Sequence, residues 1–108
     1  MIYKRLKTAQ LLNYISAKSN YVISYTDTDS KTPYTPVRMV LEFEKMTSLP
    51  SSPSCLKLSG KGGDIFFNNI IYIGIRKEPY GDIIKLCCNR NLDDSERYTY
   101  YLWVKYFN

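Results

Sequence analysis

The feature that most constrains this chain is a series of β-type segments joined by very short turns. The turn sequence GKGG at residues 60–63 contains glycines that permit positive φ, and PYGD at residues 79–82 is typical of a second tight turn. Parallel strands need a crossover of a dozen or more residues, which neither turn provides. These short turns therefore predict that strands consecutive in the second half of the chain are antiparallel neighbours in a sheet.

The clearest two-residue period covers residues 37–44. A strand with one buried and one solvated face alternates apolar and polar side chains. The odd-numbered residues are all apolar, namely Val37, Met39, Leu41 and Phe43. The even-numbered residues are mostly charged, namely Arg38, Val40, Glu42 and Glu44. We expect the first set to be buried and the three charged residues of the second set to be exposed.

The N-terminal segment has helical spacing instead. Residues 8–18 place Leu11, Leu12 and Ile15 on one stripe, with Thr8 available as an N-cap. Residues 28–36, 47–54 and 89–96 have the composition of loops. We predict one α+β domain spanning residues 1–108, with this helix followed by a strongly bent antiparallel sheet of five to six strands, closed into a small open barrel or half-barrel.

Composition limits the compartment and the partners. The 108 residues include three cysteines, two of them adjacent, which is unsuited to a disulfide framework and favours the reducing cytoplasm. The chain has no apolar run of membrane-spanning length and no signal-peptide pattern, so we expect no membrane partner. Its net charge of +5 is compatible with an acidic protein or with nucleic acid.

Residues with catalytic or metal-binding chemistry are scarce. The chain contains no histidine, which removes the commonest general base and the usual zinc ligand. One of Cys87 and Cys88 is predicted to be a core residue and the other its partly exposed neighbour. The GKGG turn has strands on both sides and lacks the pattern of a phosphate-binding loop. We expect no enzyme activity, no cofactor and no metal.

The terminal segment, residues 98–107, carries large aromatic side chains at both even- and odd-numbered positions, which point to opposite faces of a strand. The even-numbered set includes Tyr98, Tyr100 and Tyr106, and the odd-numbered set includes Tyr101, Trp103, Lys105 and Phe107. A small domain has one core, so two arrangements are open: the second set is exposed and binds a partner, or the N-terminal helix or a long loop covers it. Exposed, these four residues have the composition of an interaction hot spot.

Two functions follow from these patterns. The first is a small non-catalytic protein-binding module, an inhibitor or adaptor of the kind encoded by phages or mobile elements, whose aromatic face meets a larger or acidic protein. The alternative is a nucleic-acid-binding small β-barrel, in which aromatics stack on bases and lysines and arginines meet phosphates. The candidate phosphate contacts are Lys57, Lys61, Arg76, Lys77 and Lys85.

Overall fold

The computed structural model describes residues 2–18, 20–26, 40–49, 52–79, 81–89 and 97–107. These ranges contain one helix and nine strands, in the order β1 (Lys4–Arg5), α1 (Thr8–Ser16), β2 (Tyr21–Thr26), β3 (Val40–Phe43), β4 (Lys45–Leu49), β5 (Ser52–Gly60), β6 (Gly63–Phe67), β7 (Ile70–Glu78), β8 (Gly81–Asn89) and β9 (Arg97–Tyr106). Every strand pairing is antiparallel. The predicted α+β class, with one short helix and antiparallel strands, is confirmed.

The strands form two sheets instead of the single bent sheet predicted. One has six strands in the order β1-β7-β8-β9-β2-β3, and the other has three in the order β4-β5-β6. The chain leaves the larger sheet at a bend on Glu44 and returns through Asn69, whose φ is 54°. Backbone hydrogen bonds fix both crossings, from Glu44 to Ser59 and from Asn89 to Asn69. No closed barrel forms among the described strands.

Both predicted tight turns join neighbouring strands. Gly60 pairs with Gly63 across the β5–β6 turn, and Glu78 pairs with Gly81 across the β7–β8 turn. Gly81 has a φ of 157°, and a Cβ atom there would collide with the backbone carbonyl of Val104. The glycine thus lets β8 begin close against β9.

The loop predicted for residues 47–54 is wrong for most of its length. Thr47 pairs with Lys57 and Ser48 with Leu56, so β4 and β5 extend into this stretch from both sides. The pairing shifts register between Ser48 and Leu49, an irregularity that accommodates a poor strand sequence near a sheet edge. Residues 28–36, and all but Asn89 of residues 89–96, lie outside the described part of the chain.

The core lies between the two sheets and the helix. Leu11 and Ile15 of α1 join one cluster with Leu56 of β5 and with Leu102 and Val104 of β9, all of them at most 1% exposed. The helix begins after Lys7, whose backbone N–H donates to Gln10 Oε1 at 2.8 Å, and it ends earlier than the predicted residue 18. Because Leu11 and Ile15 pack in the same cluster as Leu102, the helix covers the face of the larger sheet that carries Leu102. We call this face the inner face.

The alternating segment is confirmed where it is described. Phe43 is 4% exposed, whereas Glu42 and Glu44 are exposed. Residues 37–39 and the side chain of Leu41 lie outside the described set. As for membranes, α1 has nine residues, and the described ranges hold no helix with the length and apolarity needed to cross a bilayer.

Candidate functional site

The outer face of the six-stranded sheet, opposite the helix, carries the aromatic set found in the sequence. Trp103 is 51% exposed and Phe107 49%, while their β9 neighbours Leu102 and Val104 point inward and are buried. Tyr101, at 37%, is the third exposed aromatic of the set, and Lys105 is exposed as well. Of the two arrangements that the sequence left open, the structure has the exposed one.

Trp103 lies at the centre of a row of side chains that crosses the sheet. It pairs with Ile83 of β8 on one side and with Ser24 of β2 on the other. The row continues from Ile83 to Arg76 of β7 and from Ser24 to Glu42 of β3. Side chains of paired residues lie on the same face, so the row has a cation at one end and a carboxylate at the other.

A groove of about 610 Å³ runs beside the tryptophan. Trp103, Lys105 and Phe107 line it, so the structure brings three of the four predicted partner-binding residues together. Its remaining lining comes from β2, β3 and the β7–β8 turn, including Val22, Ser24, Glu42, Glu78 and Pro79. The Phe107 backbone N–H donates to the Asn20 carbonyl at 3.0 Å, which fixes the end of this wall.

Next to the groove, cations stack on tyrosine rings. Arg5 lies 5.8 Å from the centre of the Tyr72 ring, and Arg76 and Lys85 lie 5.4 and 5.6 Å from that of Tyr3. Gly74 makes room for this layer, since a Cβ there would lie 2.6 Å from the Tyr72 hydroxyl and 2.9 Å from Tyr3 Cβ. We call Tyr3, Arg5, Tyr72, Arg76 and Lys85 the basic zone.

The five candidate phosphate contacts do not form one surface. Arg76 and Lys85 belong to the basic zone. Lys77 lies 5.5 Å from the ring centre of Tyr14, on the helix side of the sheet. Lys57 of β5 lies 3.5 Å from Asp64, and Lys61 lies in the β5–β6 turn, so both belong to the smaller sheet. The predicted nucleic-acid set is therefore divided among three places.

A buried carboxylate bordered by two tyrosines lies on the inner face and was not predicted from the sequence. Asp82 is 3% exposed and accepts a hydrogen bond from the Tyr106 hydroxyl at 2.5 Å. Burial, and then Asp82, raise the pKa of Tyr106 well above its ordinary value, and the same two causes raise the pKa of Tyr14. The sequence around Asp82 predicts a turn and gives no sign that the side chain points inward. Its inward position follows from the strand register, in which Asp82 pairs with the buried Val104.

The adjacent cysteines separate as predicted. Cys88 is buried, and Cys87 is intermediate in exposure on the outer face. Burial raises the pKa of the Cys88 thiol to about 12, with smaller contributions from Cys87 and Cys55. Cys88 is accordingly a core residue whose thiolate is suppressed.

The described ranges contain no cluster of three or more histidine, cysteine, aspartate or glutamate residues that could hold a metal ion. No family model, no curated protein and no solved structure matches this chain. Function must therefore be argued from the exposed aromatic face, the groove and the basic zone.

Proposed function

We propose that this chain is a small non-catalytic protein-binding module, an inhibitor or adaptor, that docks the outer face of its six-stranded sheet on a larger protein. The observation that carries the proposal is the position of Trp103, half exposed at the centre of a sheet face with Tyr101 and Phe107 exposed beside it. Central aromatic anchors surrounded by a polar rim dominate protein interfaces. With three free thiols, the chain is suited to act in the cytoplasm.

The exposed aromatic side chains contribute less to the stability of the fold than they would if they were fully buried. Burial of a large apolar side chain stabilises a fold by about 1.5–3 kcal/mol, and this gain is incomplete for a ring left half in water. A partner that covers Trp103 and Phe107 would recover it, because both rings border the same groove. Contiguous exposed apolar surface of this kind marks interaction sites.

Binding to single-stranded nucleic acid is the second candidate. The basic zone supports it, since Lys85 pairs with Tyr101 across the β8–β9 ladder and would meet a phosphate while the ring stacks on a base. Glu42 and Glu78 oppose it, because both carboxylates line the groove beside Trp103 and repel phosphates. A protein partner is therefore favoured.

Affinity capture with two matched variants tests the proposal. Phe66 of β6 is 49% exposed on the smaller sheet and provides a control for loss of an exposed aromatic. Trp103→Ala should weaken binding to a captured, nuclease-resistant protein partner by about thirtyfold, as expected for a central anchor, whereas Phe66→Ala should leave it unchanged. Equal affinity of both variants for that partner would contradict the proposal, and loss of all capture after nuclease treatment would favour the second candidate.

A further inference from the structure

We infer that the partner presents an acidic segment to the outer face, with a bulky apolar anchor in the Trp103 groove and a carboxylate over the basic zone. The inference rests on the proposed function and adds the chemistry and direction of the bound segment. Charge complementarity carries it, because cations outnumber carboxylates on the outer face over β1, β7 and β8: Arg5, Arg76 and Lys85 against Glu78.

The positive end of the face is preorganised. Arg5, Arg76 and Lys85 each lie over a tyrosine ring at 5.4–5.8 Å, which restricts their side chains before any partner arrives. Prior ordering lowers the entropy lost on binding, and a guanidinium or ammonium group can then donate charge-assisted hydrogen bonds to a carboxylate. Glu78 lies within this end, where its Oε1 contacts Arg76 Nε at 2.6 Å, so three cations share one carboxylate there.

The negative end lies across the groove. Glu42 is exposed on β3, at the opposite side of the row that starts at Arg76. A bound segment is therefore directed: its acidic part lies over β7 and β8, and its neutral or basic part lies toward β3. Uniformly charged partners fit this pattern poorly, because a strand with a phosphate at every nucleotide would place charge near Glu42 as well.

The spacing between anchor and carboxylate follows from the register. Arg76 and Trp103 are separated by two strand spacings, through Ile83, which is about 10 Å at 4.8 Å per spacing. An extended peptide advances about 3.3 Å per residue, so an anchor at Trp103 and an acid at Arg76 are about three residues apart. Lys85 is nearer, since it lies next to Tyr101, and would meet an acid closer to the anchor.

Selection from a random-peptide library with the purified full chain tests this assignment. The wild-type chain should enrich peptides with a Trp, Phe or Leu anchor and an Asp or Glu about three positions away. Lys85→Glu should reduce the preference for acids, most of all close to the anchor, and weaken a selected peptide by about tenfold, whereas the matched reversal Lys61→Glu, in the β5–β6 turn, should change neither. Trp103→Ala should remove the anchor preference.

The remaining outcomes separate this inference from the function on which it rests. Peptides that depend on Trp103 but carry no acids, or carry Lys and Arg instead, would overturn the inference and leave the binding face intact. Enrichment independent of Trp103 would overturn both. An oligothymidylate probe bound more tightly than the selected peptides, with that binding lost in Trp103→Ala, would overturn the peptide inference in favour of the nucleic-acid candidate.

Discussion

Both faces of β9 carry large aromatic side chains, but the two faces have different surroundings. On the inner face, Tyr100 lies 5.1 Å from Phe67 of the smaller sheet, and Phe67 lies 5.6 Å from Tyr25 of β2, measured between ring centres. On the outer face, Trp103 has strands on both sides but no described element over its ring. What packs against a sheet face, and not its residue types, therefore decides whether its aromatics stabilise the fold or remain available to a partner.

The largest difference between the faces should appear on truncating an inner side chain. Phe43 is 4% exposed in β3, and Phe43→Ala should lower the free energy of unfolding by about 3–5 kcal/mol through the cavity that it opens. Urea denaturation measures this loss. The control Phe66→Ala, on the exposed side of the smaller sheet, should cost about 1 kcal/mol or less. Similar losses in both variants would remove the distinction between buried and exposed aromatics.

Cys87 and Cys88 sharpen the comparison at adjacent positions. A pKa of about 12 for Cys88, against an ordinary 9.0, leaves about a thousandfold less thiolate at neutral pH, and the thiolate is the reactive form. Time-resolved alkylation followed by peptide mass spectrometry should show Cys87 modified first and Cys88 only as the protein unfolds. Equal rates in the native protein would show that β8 does not direct these two side chains to opposite faces.

Tyr106 tests the polar part of the inner face. Its hydroxyl is a hydrogen-bond donor to the buried Asp82, so Tyr106→Phe should cost about 1–3 kcal/mol of stability. Chemical denaturation at neutral pH measures the loss. A change below about 0.5 kcal/mol would show that Asp82 is satisfied without this hydroxyl.

The same residue gives a pH dependence with a definite sign. The pKa of Tyr106 is raised in the folded chain, so above about pH 10 the unfolded chain loses a proton that the folded chain keeps. The stability associated with neutral Tyr106 is present below that pH and falls as the pH rises above it. The alkaline slope of the melting temperature should be shallower in Tyr106→Phe than in the wild type. Identical slopes would contradict the burial of Tyr106.

The smallest effect on stability is expected on the outer face. Trp103→Ala should change the free energy of unfolding by about 1 kcal/mol or less, because half of the ring already contacts water. A loss near that of Phe43→Ala would mean that the ring is covered in solution, and Trp103 would then belong to the core. Thermal and urea unfolding of the three variants Trp103→Ala, Phe43→Ala and Phe66→Ala can be compared directly.

The sequence predicted the features that depend on neighbouring residues, namely the direction of adjacent strands and the alternation of faces within a strand. The short turns required antiparallel neighbours, and the alternation at Phe43 and Glu42 assigned both residues to the correct face. Parity also grouped Trp103 with Lys105 and Tyr101, because a strand alternates whatever its neighbours are. It could not say which parity faces the core, since that depends on where α1 packs.

Long-range register accounts for what was missed. The basic zone contains Arg5 of β1 and Arg76 of β7, which come together because these two strands pair. No local sequence pattern links positions so far apart. The division into two sheets depends on the bends at Glu44 and Asn69. The paired asparagines at 68 and 69 predict a kink, but no local pattern shows that the chain changes sheets there. For the same reason, Asp82 looked like an ordinary turn residue.

Fluorescence of the single tryptophan reports directly on the outer face, because excitation beyond the tyrosine absorption band gives a signal from Trp103 alone. In the free chain we expect red-shifted emission and efficient quenching by acrylamide, since the ring is half exposed on the outer face. Saturation with the captured protein partner or a selected acidic peptide should shift the emission to the blue and lower the quenching constant. Phe66→Ala should behave like the wild type in both states. Efficient quenching that stays unchanged in the fully bound chain would contradict the claim that the Trp103 face is the binding surface.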